Sequence, residues 1–307
     1  MSKPRHLVAL FGATASGKTG VAVDVAKRLP VEVVSADSRQ IRRGMQIGTA
    51  APTDEELESV HHHVVVVCRP DEPWTLTDWL SRARAALEEI WGRGRIPLLL
   101  AGTGQYAWSL LEGRVAPAVP PNEELRRELE AVAAGGGAAE LHARLERVDP
   151  VSAGRIDARN ARRVIRALEI IASTGGPVPP LQVDPPDFSW SAVGLKWERE
   201  ALYERADRRA EEMYTAGLVE ETRGLVKRYG DRFDALRSMG YAEAVKVLDG
   251  SWSEAEALAR TKTQTHRLIR MQATWFRADD ERIRWVDANA REAVLSAVER
   301  AATAPIR

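Results

Sequence analysis

The sequence predicts an α/β fold, a doubly wound and mostly parallel sheet that carries a helical insertion. Three observations predict it. Short, continuous apolar runs of strand length alternate with amphipathic helical stretches through the first block of the chain. One of those runs passes through a glycine-rich turn directly into a helix. A proline-rich break then opens a charged, helical stretch, after which a last apolar run returns.

The first run, Leu7-Val8-Ala9-Leu10-Phe11, is apolar throughout and stops at Gly12, so it reads as a strand buried on both faces. It feeds into Gly12-Ala13-Thr14-Ala15-Ser16-Gly17-Lys18-Thr19, the P-loop pattern. The glycines let backbone N–H groups wrap a diphosphate, Lys18 neutralises it, and the Thr19 hydroxyl can ligate Mg²⁺. All eight residues are therefore candidates for diphosphate binding. A helix over 21–29 follows, with Val21, Ala22, Val25 and Leu29 at helical spacing.

A second strand over 31–34 ends at Ser35-Ala36-Asp37-Ser38-Arg39-Gln40, at the carboxyl end where open α/β sheets place their ligands. Asp37 is a site candidate with three roles open: Mg²⁺ ligand, general base, or N-cap of the next element. Residues 42–52 read as loop. His61-His62-His63 precede an expected strand over 64–67. Consecutive residues of an extended chain point alternately to opposite faces, so the three imidazoles are not expected to converge on one ion.

A helix running to Ile90 packs Trp79, Ala83, Ala86, Leu87 and Ile90 on one side, and a buried strand over 96–100 ends at Gly102-Thr103-Gly104. From Glu112 the texture becomes charged and helical, interrupted by Gly135-Gly136-Gly137 and bounded by proline-rich stretches at 115–121 and 175–186. The expected division is a catalytic core over 1–111 and 188–307 and a helical insertion over 112–187. A last strand over 192–195 rejoins the core, and helices are expected to dominate from there to the end.

The chain has 307 residues, 44% of them hydrophobic, enough for one large core with an appended smaller one. No stretch approaches the roughly 18–20 apolar residues that span a bilayer, and the start shows no signal-peptide pattern, so no membrane partner and a cytoplasmic location are expected. Cys68 is the sole cysteine, which excludes an internal disulfide and a cysteine-built zinc site, and it is expected in the core. Formal net charge is zero, but five arginines face one aspartate from Arg155 to Arg166. From His266 to Arg277 there are three arginines, a histidine and no acid. Such clusters suit an RNA backbone, and equally a solvated helix face.

A P-loop alone specifies a diphosphate and a metal and nothing more. The P-loop with Ser35-Ala36-Asp37-Ser38, Gly44-Met45-Gln46-Ile47-Gly48-Thr49-Ala50, Gly102-Thr103-Gly104-Gln105-Tyr106 and Arg162-Arg163-Val164-Ile165-Arg166-Ala167-Leu168-Glu169 closely resembles the bacterial tRNA dimethylallyltransferases. Gly240-Tyr241 and Thr274-Trp275-Phe276-Arg277 continue that resemblance in order. It implies a P-loop NTPase-like core and transfer of a dimethylallyl group from dimethylallyl diphosphate, with Mg²⁺, to N6 of the adenosine 3′ of the anticodon in tRNAs reading UNN codons. A monomer is expected.

The resemblance further implies that Asp37 is the general base, that Lys18 and Thr19 hold the leaving diphosphate, and that Arg237 is a second diphosphate-stabilising cation. It implies tRNA contacts from Asp37, Ser38, Arg39, Gln40, Thr103, Arg126, Arg162, Arg163, Arg166, His266, Arg267 and Arg270. The sequence departs from the family at Ala242-Glu243, where Arg-Gln is usual, and in the run Thr265-His266-Arg267-Leu268-Ile269-Arg270-Met271-Gln272. Neighbouring arginines can exchange phosphate contacts, so these departures bear on the grip on tRNA more than on the chemistry.

Overall fold

The computed structural model describes residues 5–115, 117, 119–120 and 122–303. Residues 1–4, and 116, 118 and 121 of the first proline-rich stretch, lie outside the described residues. The chain divides into two compact units, one running to Gly113 and resuming at Pro185, the other Arg114–Asp184.

In the larger unit β1 (His6–Phe11) leads to α1 (Lys18–Ala26), β2 (Val31–Ala36), the short helices α2 (Gln46–Thr49) and α3 (Asp54–Ser59), β3 (His62–His63), α4 (Leu76–Gly92), β4 (Ile96–Ala101) and α5 (Gly104–Leu111). The smaller unit holds β5 (Arg114–Val115), α6 (Glu123–Ala134), α7 (Ala138–Val148), α8 (Pro150–Arg155), α9 (Ala161–Thr174) and β6 (Gln182–Val183). The larger unit resumes with β7 (Ser189–Lys196), α10 (Arg199–Thr215), α11 (Leu218–Tyr229), α12 (Tyr241–Leu248), α13 (Glu254–Trp275), β8 (Ile283–Asp287) and α14 (Arg291–Thr303).

Six strands form one sheet in the order β3-β2-β4-β1-β7-β8, each neighbouring pair parallel. The uniformly apolar first run is explained by its place: β1 is central and contributes to two cores at once. Leu7, Ala9 and Phe11 pack on one face with Trp79, Leu87, Ile90 and Trp108. Val8 and Leu10 pack on the other with Val21, Val25, Val294 and Val298. This period-two division of one strand between two faces is what a doubly wound sheet requires. Cys68 is buried, its thiol pushed up by burial.

Two expectations about strands are corrected. Residues 64–67 do not form a strand, because Val64 and Val66 adopt φ of 61° and 54°, which breaks the extended chain; His62 and His63 take the edge position beside β2 instead. β7 is not the last strand, since β8 adds a sixth to the sheet among the described residues. Gly194 of β7 lies opposite Trp285 of β8, and a Cβ on Gly194 would meet the indole at 2.4 Å, so only glycine lets that ring lie across the strand.

The smaller unit builds its own core from Leu129, Leu141, Leu145, Val164 and Ile165. Within it the buried Glu169 carboxylate accepts hydrogen bonds from the Asn122 amide at 3.2 Å and from Arg126 at 2.8 Å, with Arg166 at 3.6 Å. Asn122 also caps α6 through its side chain.

Candidate active site

The P-loop turns at the end of β1 because Ala15 and Gly17 take positive φ, 62° and 87°. Alternating hands of this kind turn successive backbone N–H groups inward as an anion nest, and Gly17 supplies the N-cap of α1, whose dipole adds to it. The Lys18 ammonium folds back to donate to the Gly12 and Ala13 carbonyls at 2.8 and 3.0 Å. Burial pushes its pKa down to about 8, opposed by the negative charge of Asp37 and reinforced by Arg209. The Ser16 hydroxyl is buried without a hydrogen-bond partner among the described residues.

The loop opens onto a cavity of about 980 Å³ in the larger unit, lined on one side by residues 14–20 and on the other by Asp37, Gly102, Arg205, Arg208, Arg209 and Gln272. Asp37 stands one residue past β2, and its Oδ1 accepts the Arg39 amide at 2.8 Å, an Asx turn that fixes the carboxylate. Gly102 forms the floor: a Cβ placed there would lie 3.2 Å from Asp37 Oδ2, 3.8 Å from Gln272 Nε2 and 3.9 Å from Lys18 Nζ. The carboxylate and the ammonium thus face one small volume.

Ser38, Thr103, Arg39 and Gln40 surround this point but are differently engaged. Thr103 Oγ1 accepts the Ser38 amide at 3.1 Å, and both side chains are near the surface. The Arg39 guanidinium is turned inward to the Gly48 and Met239 carbonyls at 2.7 and 2.6 Å, and Gln40 donates to the Ala50 carbonyl at 2.8 Å. On α13, His266 stacks on Tyr203 with centroids 4.0 Å apart and holds Asp207 at 2.8 Å, while Arg267 and Arg270 are exposed beside it. In the smaller unit Arg162 and Arg163 are exposed, whereas Arg126 is committed to Glu169 and Arg166 donates to the Val119 carbonyl at 2.7 Å with Glu169 3.6 Å away.

The structure does not bring Arg237 to the P-loop. It sits on a 3₁₀ turn, its side chain 74% exposed, 3.8 Å from Asp234, and it does not line the cavity. The cations that do are on α10. Arg209 reaches Thr14 Oγ1 at 3.4 Å and the Thr49 and Ala50 carbonyls at 3.3 and 3.4 Å; burial, with Arg39 nearby, pushes its pKa down to about 10. Arg205 donates to the Ala15 carbonyl at 3.0 Å and lies over the Trp197 ring. Sequence reasoning missed this trio, although Arg205, Arg208 and Arg209 at spacings of three and four project from one helix face.

Gln272 was also passed over as a site residue. It is buried in the last turns of α13, accepts the Thr14 amide at 2.9 Å and donates to the Gly102 carbonyl at 2.7 Å. Glu221 of α11 likewise accepts the Ile47 and Gly48 amides at 3.0 and 3.2 Å, and the Tyr241 hydroxyl at 2.6 Å. Among the described residues no helix is long and apolar enough to cross a membrane.

The chain matches the family model for IPP transferase over residues 40–279 and that for isopentenyl transferase over residues 5–68. It is 47% identical to a tRNA dimethylallyltransferase of Chloroflexus aurantiacus, over 89% of this chain and 93% of that one. To the enzyme of the same name from Geobacillus kaustophilus it is 41% identical, over 91% and 89%. Its fold superposes on the crystal structure of the full-length tRNA isopentenylpyrophosphate transferase of Bacillus halodurans with a TM-score of 0.69, at 35% identity, covering 97% of this chain and 98% of that one. A P-loop nest, a carboxylate across its mouth and these matches over most of the chain converge on one statement: this protein belongs to the IPP transferase family, among the tRNA dimethylallyltransferases.

Proposed function

We propose that this chain transfers the dimethylallyl group of dimethylallyl diphosphate to N6 of the adenosine 3′ of the anticodon in tRNAs reading UNN codons, as a cytoplasmic monomer. One observation carries the reading: Asp37 Oδ2 and Lys18 Nζ lie 3.2 and 3.9 Å from the same point above Gly102. A proton acceptor and an anion cradle are needed together where a neutral nucleophile displaces a diphosphate.

The adenine N6 attacks C1 of the dimethylallyl group, the C1–O bond breaks, and its electron pair leaves with the diphosphate. The N6 proton passes to the Asp37 carboxylate. Charge develops on the leaving oxygen, where Lys18 and the amides of the loop stabilise it without reorganising. Arg209 supplies a further cation on the opposite wall, the role that Arg237 is not placed to fill here. The reacting adenine has to leave its stack to reach a recessed carboxylate, which is inexpensive in a single-stranded loop.

The donor set at the loop suits Mg²⁺: the Thr19 hydroxyl and the unpartnered Ser16 hydroxyl offer only oxygen, the ligand type that a small hard cation prefers. Thr19 would hold Mg²⁺, which would supply positive charge against the diphosphate when bound. The exposed Arg162, Arg163, Arg267 and Arg270 are side chains available to tRNA phosphates, and Ser38 and Thr103 are polar groups beside Asp37 and Gly102.

The test is incubation of the purified protein with dimethylallyl diphosphate and unmodified tRNA, followed by mass spectrometry of the tRNA nucleosides. Dimethylallyladenosine next to the anticodon and release of diphosphate are expected, with no need for ATP. Modification of free adenosine monophosphate in place of tRNA, or tRNA-dependent formation of ADP, would overturn the reading.

A further inference from the structure

A second cluster lies at the amino end of β2, away from the cavity. β3 pairs with β2 in parallel with Val33 opposite His62 and Val34 opposite His63, which sets Glu32 abreast of His61. Alternation along the extended chain puts His61 and His63 on one face and His62 on the other, where its Nδ1 meets the Val60 carbonyl at 2.8 Å. The His61 and His63 rings are 4.4 Å apart at 76°. Glu32, only 3% exposed, points at them with Oε2 2.7 Å from His63 Nε2. One ligand atom from each of Glu32, His61 and His63 lies within 4.8 Å of the other two. The three histidines do not converge, as their alternation requires; two of them do, and the neighbouring strand brings the third donor.

We propose that Glu32, His61 and His63 form a binding site for one divalent transition-metal ion of the zinc class. Two imidazoles and a carboxylate are a donor set that zinc accepts, with the fourth position left to water. Bonds of about 2.0–2.1 Å from a tetrahedral ion separate its ligand atoms by roughly 3.4 Å, so the His63–Glu32 contact opens by a few tenths of an ångström and His61 closes in. His63 binds through Nε2 as its Nδ1–H tautomer, exchanging its hydrogen bond to Glu32 for the metal.

Glu32 is not consumed by its existing partners. Arg93 donates to Oε1 at 3.0 Å and to Oε2 at 2.7 Å, and a carboxylate oxygen has two lone-pair directions, so each retains one. Arg93 then orients the ligating carboxylate from outside, the usual arrangement around a metal site. The same arginines limit the affinity. Arg95 is 3.6 Å from Glu32 and Glu89 is 3.7 Å from Arg93, so two cations offset two anions and the charge of the ion is added to a neutral surround. Binding is therefore weaker than that of a structural zinc finger. A bound ion would tie the sheet edge to β2, the strand whose other end carries Asp37.

Zinc chloride titrated calorimetrically into the full chain, stripped beforehand with chelator, tests this, with cobalt as a visible probe. One equivalent should bind, cobalt should give tetrahedral d–d bands, and both His61→Ala and His63→Gln should weaken binding at least tenfold while His266→Ala changes nothing. His61 is exposed, so its variant is expected to fold, and an unchanged melting profile without metal verifies that. Absence of saturable binding, or equal affinity in His61→Ala, would overturn the proposal and leave the cluster a hydrogen-bonded network.

Discussion

The side-chain carbonyl of Gln272 accepts the backbone amide of Thr14 at 2.9 Å, although 258 residues separate them in the chain. The other half of the same carboxamide holds the Gly102 carbonyl at 2.7 Å. One side chain thereby sets the spacing between the anion nest and the floor beneath Asp37. Gln272→Leu keeps the volume and leaves two backbone groups unpaired, a cost of about 1–3 kcal/mol for each that stays dry. We expect a lower melting temperature and a transfer rate reduced by roughly tenfold or more, since small misplacements are felt in the chemical step. An unaltered single-turnover rate in a destabilised variant would restrict Gln272 to a structural role.

Asp37→Asn keeps the shape and removes the proposed proton acceptor. The expected loss in single-turnover rate is roughly 10²–10⁴-fold, the scale of a missing general base, with tRNA affinity little changed. Gly102→Ala attacks the same point from below, because its methyl would stand 3.2 Å from Asp37 Oδ2, in the space proposed for the reactants. It should weaken binding of dimethylallyl diphosphate and slow transfer while the protein remains folded.

Arg209→Ala and Arg237→Ala form a matched pair. A charge-assisted hydrogen bond contributes about 1.5–3 kcal/mol, so loss of Arg209 should weaken equilibrium binding of inorganic diphosphate by roughly 10–100-fold. Arg237→Ala should leave that constant near the wild-type value, given its exposure and its distance from the cavity wall. Equal losses in the two variants would mean that the turn carrying Arg237 closes over the ligand.

Lys18 gives the site a pH dependence whose sign is fixed. Its pKa in the folded chain is about 8, below the ordinary 10.5, so between these values the unfolded chain holds more protons. This residue alone therefore makes folding stability rise with pH across that window. Bound diphosphate favours the charged ammonium and reverses the preference. Diphosphate affinity should be greatest below about pH 8 and fall above it by at most about tenfold per unit, with proton uptake on binding near pH 8. Calorimetry in buffers of different ionisation enthalpy measures the uptake directly.

The arginines of the smaller unit should separate into two groups. Arg163→Ala removes an exposed charge, and should lower the slope of log affinity for tRNA against log salt by about one unit or less without altering stability. Glu169→Gln instead strikes the buried carboxylate that holds Arg126 and Arg166. A clear loss in melting temperature is expected there, because breaking a buried pair leaves charge uncompensated. A salt slope unchanged in Arg163→Ala would make that helix face merely solvated.

Strands β1 and β4 were legible because burial on both faces makes their runs almost wholly apolar, and β2 was legible from Val31, Val33 and Val34 despite the buried Glu32 between them. The P-loop was legible because its backbone geometry demands glycine at fixed places. β8 was not: at the sheet edge its residues alternate between exposed Arg284 and buried Ile283, and the run is too short to stand out. The misassigned strand over 64–67 shows the converse, since β-branched valines favour extension, yet two of them sit at positive φ to return the chain toward Ile41. Arg209 and Gln272 were illegible as site residues for another reason. Their importance lies in partners that are distant in sequence, Thr14 above all, and no local pattern announces such a meeting.

The strand order has a consequence for how the protein is made. β1 leaves the ribosome before the other strands of its sheet, yet it lies between β4 and β7, whose residues begin at Ile96 and Ser189. Until well over half of the chain has emerged, one edge of this apolar strand has no hydrogen-bonding neighbour, and an unpaired parallel edge is slow to satisfy and prone to sticking. The smaller unit, whose contacts are local, can fold during that wait. Thr14 must wait longer still for Gln272, so the loop made before almost all of its sheet is completed only after that sheet's neighbours have emerged.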